Sequence, residues 1–195
     1  LQNIVGPFTA EQNRFEGAVK TIRPTVDGLK NSGDTANRVG FHVDGTQHLE
    51  QPPLLVFHYH TQAKAGGAST FVDVASVLFD FDPRTRAEIV CALARPDAAT
   101  FKKRGMEFTG PVLALGASPL SLKVRARFDE VVEVHPDVKR AYEQFEAKAT
   151  EQRFEISFFP HEADIVIFDN WRLLHGRETV VGDRHRQHFR ARVDQ

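Results

Sequence analysis

Two histidines and an aspartate, widely separated in the sequence, most constrain what this chain can fold into. His42 and Asp44 form an H-x-D pattern, and His175 lies far downstream in a segment that runs from Asp169 to Arg177. Two imidazoles and one carboxylate are the ligand set of a mononuclear iron(II) site that keeps open coordination positions. Residues i and i+2 of a β-strand point to the same side, so His42 and Asp44 are able to reach one ion together. The fold must then bring His175 to them from a distant strand.

A second H-x-D pattern, His135-Pro136-Asp137, shows that the pattern alone is weak evidence. Proline suits the first turn of a helix, and an aspartate there interacts favourably with the helix dipole. We therefore interpret this copy as a helix start. The His42 copy differs because of the motifs that follow it.

Those motifs come in a definite order. Pro52-Pro53 precede a strand-like run from Leu54 to His60, and Gly66-Gly67-Ala68-Ser69-Thr70 come next. With Asp169-Asn170 ahead of His175 and arginines beyond, the region from Gly40 to Val193 resembles the taurine dioxygenase family of iron(II)/2-oxoglutarate-dependent oxygenases. The resemblance implies a mainly β fold with flanking helices, the double-stranded β-helix, a jelly-roll or cupin-like barrel.

The resemblance also implies an activity. A member would be a non-haem Fe(II)- and 2-oxoglutarate-dependent dioxygenase that uses O2 to oxidise, most often to hydroxylate, a C–H bond of a small polar metabolite, with release of succinate and CO2. His42, Asp44 and His175 would be the catalytic metal ligands. Related halogenases have a small residue at the carboxylate position, so Asp44 favours hydroxylation. The alternative is a cupin-like metal-binding barrel that acts as an isomerase, a hydrolase or a small-molecule sensor.

Arginines near the C-terminus are candidates for co-substrate binding. In the family that the chain resembles, an arginine about eleven residues after the distal histidine holds the far carboxylate of 2-oxoglutarate. A second arginine, four residues on, often faces the substrate. These positions are Arg186 and Arg190, with Arg184 as a rival for the first role. The family hydroxyl that joins the same carboxylate is Ser69, with Thr70 as the neighbouring alternative. A planar guanidinium suits this task because it pairs with a carboxylate through two hydrogen bonds.

Arg190 has two possible roles, at the co-substrate or at an anionic group of the primary substrate. Four residues along a strand span roughly 13 Å, which is long for Arg186 and Arg190 to share one carboxylate end. We therefore expect a substrate that bears a carboxylate, sulfonate or sulfate, such as an amino acid. Residues 30–37 and 45–51 are predicted to be loops that close over it.

Four other polar residues lie close to these motifs. His58 and His60 share a strand face, and either line the pocket or are ordinary core or surface histidines. Asp169 and Asn170 are predicted to orient the loop that bears His175 through hydrogen bonds.

Composition limits the class of protein but does not indicate a reaction. A length of 195 residues predicts one domain, 1–195, and the net charge of -1 gives no drive toward nucleic acid or membrane. Cys91 is the one cysteine, which excludes a disulfide framework. No membrane span or signal peptide is visible, so we expect a cytoplasmic protein whose partner is a small molecule. The sequence leaves open a homo-oligomer, and also whether the N-terminal part, only 41 residues before His42, is incomplete.

Periodicity and capping patterns predict helices and strands around the motifs. One helix is predicted from Thr9 through Phe15, Val19 and Ile22, a second from Asp82-Pro83 to before Pro96, and a third from Pro136. The predicted strands are Leu54–His60, Ser69–Val72, Leu120–Val124, Phe154–Phe159, Ile165–Phe168 and His188–Val193.

Overall fold

A computed structural model describes residues 8–9, 19–23, 33–116, 121–182 and 187–193. The strands within these ranges are β1 (Phe8–Thr9), β2 (Val19–Ile22), β3 (Val39–His42), β4 (Leu54–Thr61), β5 (Ala65–Gly66), β6 (Ser69–Asp73), β7 (Ala99–Lys103), β8 (Met106–Gly110), β9 (Leu113–Leu115), β10 (Leu122–Val124), β11 (Val132–Val134), β12 (Glu155–Phe158), β13 (Ile165–Asp169), β14 (Leu173–Arg177), β15 (Val180–Val181) and β16 (Gln187–Val193).

The α-helices in the described ranges are α1 (Val74–Phe79), α2 (Pro83–Leu93) and α3 (Lys139–Ala149). The predicted second helix is confirmed as α2. The Asp82 side chain caps it by accepting hydrogen bonds from the backbone N–H groups of Arg84 and Thr85, and Pro83 occupies its first turn. The predicted third helix is confirmed as α3, which begins at Lys139 after a turn that contains Pro136.

Two antiparallel sheets form the framework of the fold. The first has the strand order β1-β16-β4-β13, with β2 also paired to β16, and the second has the order β12-β6-β14-β3. The chain alternates between the two sheets from β3 through β4 to β6, and again from β12 through β13 and β14 to β16. β6 and β12, which the strands β7 to β11 separate in sequence, both lie in the second sheet. This alternating course is the topology of the predicted double-stranded β-helix.

The space between the two sheets is filled by apolar and aromatic side chains. Leu55, Phe57, Tyr59 and Phe168 of the first sheet pack with Phe71 of the second. The Tyr59 hydroxyl lies 2.7 Å from Ser69 Oγ, which links the two sheets. A separate, larger apolar core lies between the helices and the strands from β7 to β11. The candidate site lies at the first of these two clusters.

The helix predicted from Thr9 to Ile22 is wrong where the structure describes it. Phe8–Thr9 is β1 and Val19–Ile22 is β2, and both strands pair with β16. The intervening residues 10–18 lie outside the described residues. Backbone pairing with a neighbouring strand outweighs a short helical pattern, because propensity is a weak constraint against tertiary context.

The six predicted strands are confirmed as β4, β6, β10, β12, β13 and β16, with small shifts at their ends. Leu120, the predicted start of β10, lies outside the described residues. Among the described helices, none is both long and apolar enough to cross a membrane.

Candidate metal centre

His42 and Asp44 lie where a strand turns into a loop. β3 ends at His42, and Asp44 belongs to the turn that follows, so the expectation that both residues share one strand is wrong. Their side chains still converge, with His42 Nε2 3.6 Å from Asp44 Oδ1. Gly45 makes the turn possible, because its φ is +76° and an added Cβ would lie 2.8 Å from Pro52 Cδ.

His175 reaches this pair from the neighbouring strand of the second sheet. It lies in β14 as the direct cross-strand partner of His42, and the two ring centroids are 4.4 Å apart. One ligand atom from each of His42, Asp44 and His175 lies within 4.8 Å of the other two. In the part of the chain that the structure describes, this is the one group of three residues of metal-binding type placed this closely.

The donor set fits a divalent iron ion. His42 Nδ1 lies 2.9 Å from the carbonyl oxygen of Gly40, which only accepts, so the hydrogen of the neutral ring belongs on Nδ1 and leaves Nε2 as the nitrogen for a metal. A ligating histidine is oriented in this way by donating its other ring N–H to a carbonyl. Two neutral imidazoles and one carboxylate on one side of an ion suit Fe(II) with open positions.

Aromatic side chains enclose His175. Its ring centroid is 5.1 Å from that of Phe168 and 5.8 Å from that of Phe57, both in edge-to-face geometry. Phe71 is its cross-strand partner in β6 and packs against Phe168. Apolar walls of this kind lower the local dielectric, so that charges and dipoles at the site interact more strongly than in water.

Asn170 ties the loop that leads to His175 to the turn that carries Asp44, so its hydrogen bonds act on both sides of the site. Its Oδ1 accepts from the Asp44 backbone N–H at 2.9 Å. Its Nδ2 donates to the carbonyl oxygens of Asp44 at 3.1 Å and of Pro52 at 2.8 Å. Asp169 accepts a 2.8 Å hydrogen bond from the Trp171 backbone N–H. The fully buried Asn170 amide therefore fixes the backbone on both sides of the Asp44 side chain.

Ser69 and Thr70 point to opposite faces of β6, which separates the two candidates for co-substrate binding. Ser69 lies on the face of Phe71, two residues on, and contacts Tyr59 between the sheets. Thr70 lies opposite Gly176, its Oγ1 2.9 Å from where a Cβ on that glycine would be. Of the two hydroxyls, Ser69 is the one directed toward the interior.

The arginine candidates are described only in part. Arg186 and its rival Arg184 lie outside the described residues. Arg190 belongs to β16, where its Cα partners are Phe57 in β4 and Lys20 in β2. Lys20, which the sequence analysis did not single out, is buried and lies 4.0 Å from Asp34.

His58 and His60 do not line the interior. β4 alternates, and its buried inward residues are Leu55, Phe57 and Tyr59. His58 instead pairs with Ile165, whose side chain is half exposed. The pocket-lining interpretation of the two histidines is therefore wrong.

The second H-x-D pattern was predicted to start a helix, and it forms the turn directly before α3 instead. His135 Nδ1 accepts a 3.2 Å hydrogen bond from the Asp137 backbone N–H. The Asp137 carboxylate binds Arg95 at 3.2 Å. These local contacts account for both side chains without a metal ion.

Two buried arginines donate hydrogen bonds to the loops that were predicted to close over the substrate. Arg177 donates to the carbonyl oxygens of Gly33 at 2.9 Å and Asn37 at 2.7 Å, and also to that of Thr35. Arg125 donates to carbonyl oxygens of the loop after Asp44. These hydrogen bonds anchor residues 33–37 and 45–49 to the barrel, and closure of the loops over a substrate stays a prediction. Sequence reasoning missed both roles, because hydrogen bonds from an arginine to backbone carbonyl oxygens leave no pattern of complementary charges in the sequence.

A buried ion pair lies beside His42. The Arg127 backbone forms an isolated antiparallel β-bridge with His42. The Arg127 side chain donates two hydrogen bonds to the Asp129 carboxylate, one of them 2.7 Å long. Burial by itself would raise the pKa of Asp129, but the hydrogen bonds and charge of Arg127 outweigh it and lower the pKa. The carboxylate therefore stays ionised near the centre.

Comparisons with known proteins agree with this architecture. Over 182 residues the chain is 29% identical to the gamma-butyrobetaine dioxygenase of Pseudomonas sp. (strain AK-1), an alignment that covers 88% of this chain and 47% of the relative. The structure of asparagine oxygenase in complex with Fe(II), 2S,3S-3-hydroxyasparagine and succinate matches with a TM-score of 0.78 at 20% identity, covering 97% of this chain and 60% of that one.

A third match is the non-heme iron oxygenase OrfP in complex with Fe, succinate and (3S)-hydroxy-L-Arg, with a TM-score of 0.75 at 16% identity, covering 96% and 62%. The structural matches confirm the double-stranded β-helix fold. The chain spans about half the length of the curated relative it matches. The model of the taurine catabolism dioxygenase TauD, TfdA family matches residues 3–192, nearly the whole sequence, and the chain belongs to that family.

Proposed function

We propose that this chain is the catalytic part of a non-haem Fe(II)- and 2-oxoglutarate-dependent dioxygenase that hydroxylates a small polar metabolite. The observation that carries the proposal is the convergence of His42, Asp44 and His175 within 4.8 Å on adjoining elements of the second sheet. Membership of the TauD, TfdA family favours an oxygenase over the cupin-like isomerase, hydrolase or sensor. Asp44 favours hydroxylation over halogenation, because the carboxylate takes the place that a halide would need.

In this proposal His42, Asp44 and His175 hold the iron, and Ser69, Arg186 and Arg190 hold 2-oxoglutarate. The bound iron, 2-oxoglutarate and O2 together supply an oxidant strong enough to attack an unactivated C–H bond, with succinate and CO2 as by-products. Gly40 keeps the hydrogen of His42 on Nδ1, and Asn170 holds the Asp44 backbone, so that both side chains are already oriented. Phe57 and Phe168 shield His175 from water.

Ser69 is favoured as the hydroxyl that receives the far carboxylate. It lies between the sheets and already forms a hydroxyl–hydroxyl contact with Tyr59. Position 190 has Phe57 of β4 as its Cα partner, and both roles of Arg190 stay part of the proposal. A cationic residue near this position would balance a carboxylate that is removed from water.

For the primary substrate we propose an amino acid or a similar small metabolite with an anionic group. Two of the matching structures are complexes with hydroxylated amino acids, hydroxyasparagine and hydroxyarginine. Because the chain spans only part of those proteins, this class of substrate is inferred from the anion-binding candidates and the likeness together. The cytoplasmic location expected from the sequence stays a prediction.

An anaerobic mixing experiment tests the proposal. Adding Fe(II) and then 2-oxoglutarate should give a weak visible charge-transfer band, and oxygen should then yield succinate. His175→Ala and Asp44→Ala should lose both signals. His135→Ala is the matched control, because it removes a histidine of the other H-x-D pattern, which lies in a surface turn. Full iron binding by either ligand variant, or no band and no succinate with the wild-type chain, would contradict the assignment.

A further inference from the structure

Arg125 is a buried cation whose described partners are backbone dipoles and an aromatic ring. Its guanidinium donates to the carbonyl oxygens of Thr46 at 2.7 Å, His48 at 2.6 Å and Leu49 at 3.2 Å, with a longer contact to Gly45 at 3.4 Å. The Phe108 ring lies against it, with 3.9 Å between the guanidinium carbon and the ring centroid. Burial lowers the pKa of Arg125 to about 10, which still leaves the group charged at neutral pH.

These carbonyl oxygens belong to the loop that starts directly after Asp44. A loop whose carbonyls converge on one point is unfavourable without a cation there, because the dipoles repel one another and are withdrawn from water. Arg125 supplies that cation from the strand-like segment beside β3, where the Arg125 N–H binds Val112 O and Val43 N–H binds Ala126 O. The guanidinium is therefore the centre around which the loop is folded.

Asp44 thus lies between two fixed points. On one side the Asn170 side chain binds the backbone N–H and the carbonyl oxygen of Asp44. On the other side Arg125 binds the carbonyls of the next residues along the chain. A carboxylate with only two side-chain torsions takes its direction from the backbone that carries it, so fixing the backbone on both sides fixes where the carboxylate points.

We propose that Arg125 is a positioning residue that sets the direction of the Asp44 carboxylate toward the metal. The inference rests on the proposed function, in which Asp44 is a metal ligand. Loss of a residue that orients a metal ligand typically lowers metal affinity about 10–100-fold. Arg125→Met should therefore weaken metal binding by this factor, and Arg125→Lys should fall between Met and wild type, because an ammonium keeps the charge but reaches fewer carbonyls.

The test uses the metal-free protein and Co(II) as the probe, titrated by its visible absorption. A second readout comes from the chain itself: Trp171 is its one tryptophan, and its Nε1 donates to Gln51 O at 2.9 Å, at the far end of the same loop. Loosening of the loop in the Arg125 variants should change Trp171 fluorescence before any metal is added. Neither readout requires turnover.

Two controls separate positioning from loss of stability. Leu93→Ala removes a fully buried side chain of the larger apolar core, and should lower stability while leaving Co(II) affinity unchanged in the folded protein. Arg153→Met removes an arginine bound to Asp80 on a surface ion-pair network and should also leave it unchanged. If Arg125→Met fails to fold, the Co(II) affinity of Arg125→Lys is compared with that of wild type instead.

The outcomes are distinct. Wild-type Co(II) affinity in Arg125→Lys and Arg125→Met, with affinity lost in Asp44→Ala, overturns the inference and leaves the proposed function intact. An equal loss in Leu93→Ala also overturns it, since the effect would then be one of general stability. Unchanged affinity in Asp44→Ala overturns the proposed metal centre itself.

Discussion

Gly176→Ala tests whether the spacing of two strands controls the centre. Gly176 lies next to His175 in β14, and a Cβ built on it would lie 2.7 Å from Val39 O in β3 and 2.9 Å from Thr70 Oγ1 in β6. Ordinary carbon–oxygen contacts start near 3.4 Å, so β3 and β14 must separate by roughly 0.7 Å or both strands must distort. Each of the two strands carries a candidate ligand, His42 in β3 and His175 in β14.

Overpacking of this kind costs about 1–3 kcal/mol. For a chain of this size each kcal/mol lowers Tm by about 2–4 °C, so Gly176→Ala should melt about 2–12 °C below wild type. Differential scanning calorimetry measures the Tm, and a Co(II) titration of the folded variant should show weaker binding, because metal sites tolerate displacements of only about 0.5 Å.

Gly40→Ala provides the matched control in the paired strand. Its added methyl group would have Phe128 O as its nearest neighbour, at 3.9 Å, which is an ordinary contact. Its Tm should equal or slightly exceed that of wild type, since alanine restricts the unfolded chain more than glycine does. Equal Tm and equal Co(II) affinity in Gly176→Ala and Gly40→Ala would refute the argument from strand spacing.

Three further predictions concern neighbouring residues. Ser69→Ala should raise the KM for 2-oxoglutarate about tenfold or more, because a hydrogen bond to a charged group is lost, whereas Thr70→Ala on the opposite face should leave this KM unchanged; steady-state succinate assays would contradict the face assignment if the two variants behaved alike. Asn170→Ala strips partners from three buried backbone groups and should cost about 3 kcal/mol or more in urea unfolding, and a loss below about 1 kcal/mol would show that the amide clamp is unimportant. Burial raises the pKa of Asp73, but hydrogen bonds from Arg172 and from the Ala75 backbone N–H outweigh it, so the pKa is lowered on folding. The carboxylate therefore stabilises the fold fully above about pH 4, and this stabilisation is lost as the pH falls through the lowered pKa. Asp73→Asn should flatten the acid limb of a plot of stability against pH. An unchanged acid limb would contradict that sign.

Much of the site was predictable because its chemistry leaves marks in the sequence. The residue types at 42, 44 and 175 identify a ligand set, and the motif order identifies the barrel that brings them together. The position of Asp44 in a turn was not predictable, because that turn depends on Gly45 at a positive φ and on Arg125, which is remote in sequence.

The faces of β4 illustrate a different limit. Period-two alternation groups His58 with His60 and Phe57 with Tyr59, but it does not say which group faces inward. The large apolar set of Leu55, Phe57 and Tyr59 is the signal that would have decided it. The short pattern at Val19 and Ile22 failed for a related reason, since its partner strand lies at the other end of the chain.

The long-range hydrogen bonds around the candidate centre also bear on how the chain acquires its metal. Asp44 and Asn170, whose hydrogen bonds lock this side of the barrel, are 126 positions apart in the sequence. Contacts of such long range form slowly, because the entropy of closing the chain is lost before the contact is gained. The ligand set therefore does not exist in the unfolded polypeptide, and an ion that binds only the native state stabilises it by about 2.7 kcal/mol at a hundred times its Kd. Iron supply would then govern how long the folded protein survives in the cell as well as whether it is active.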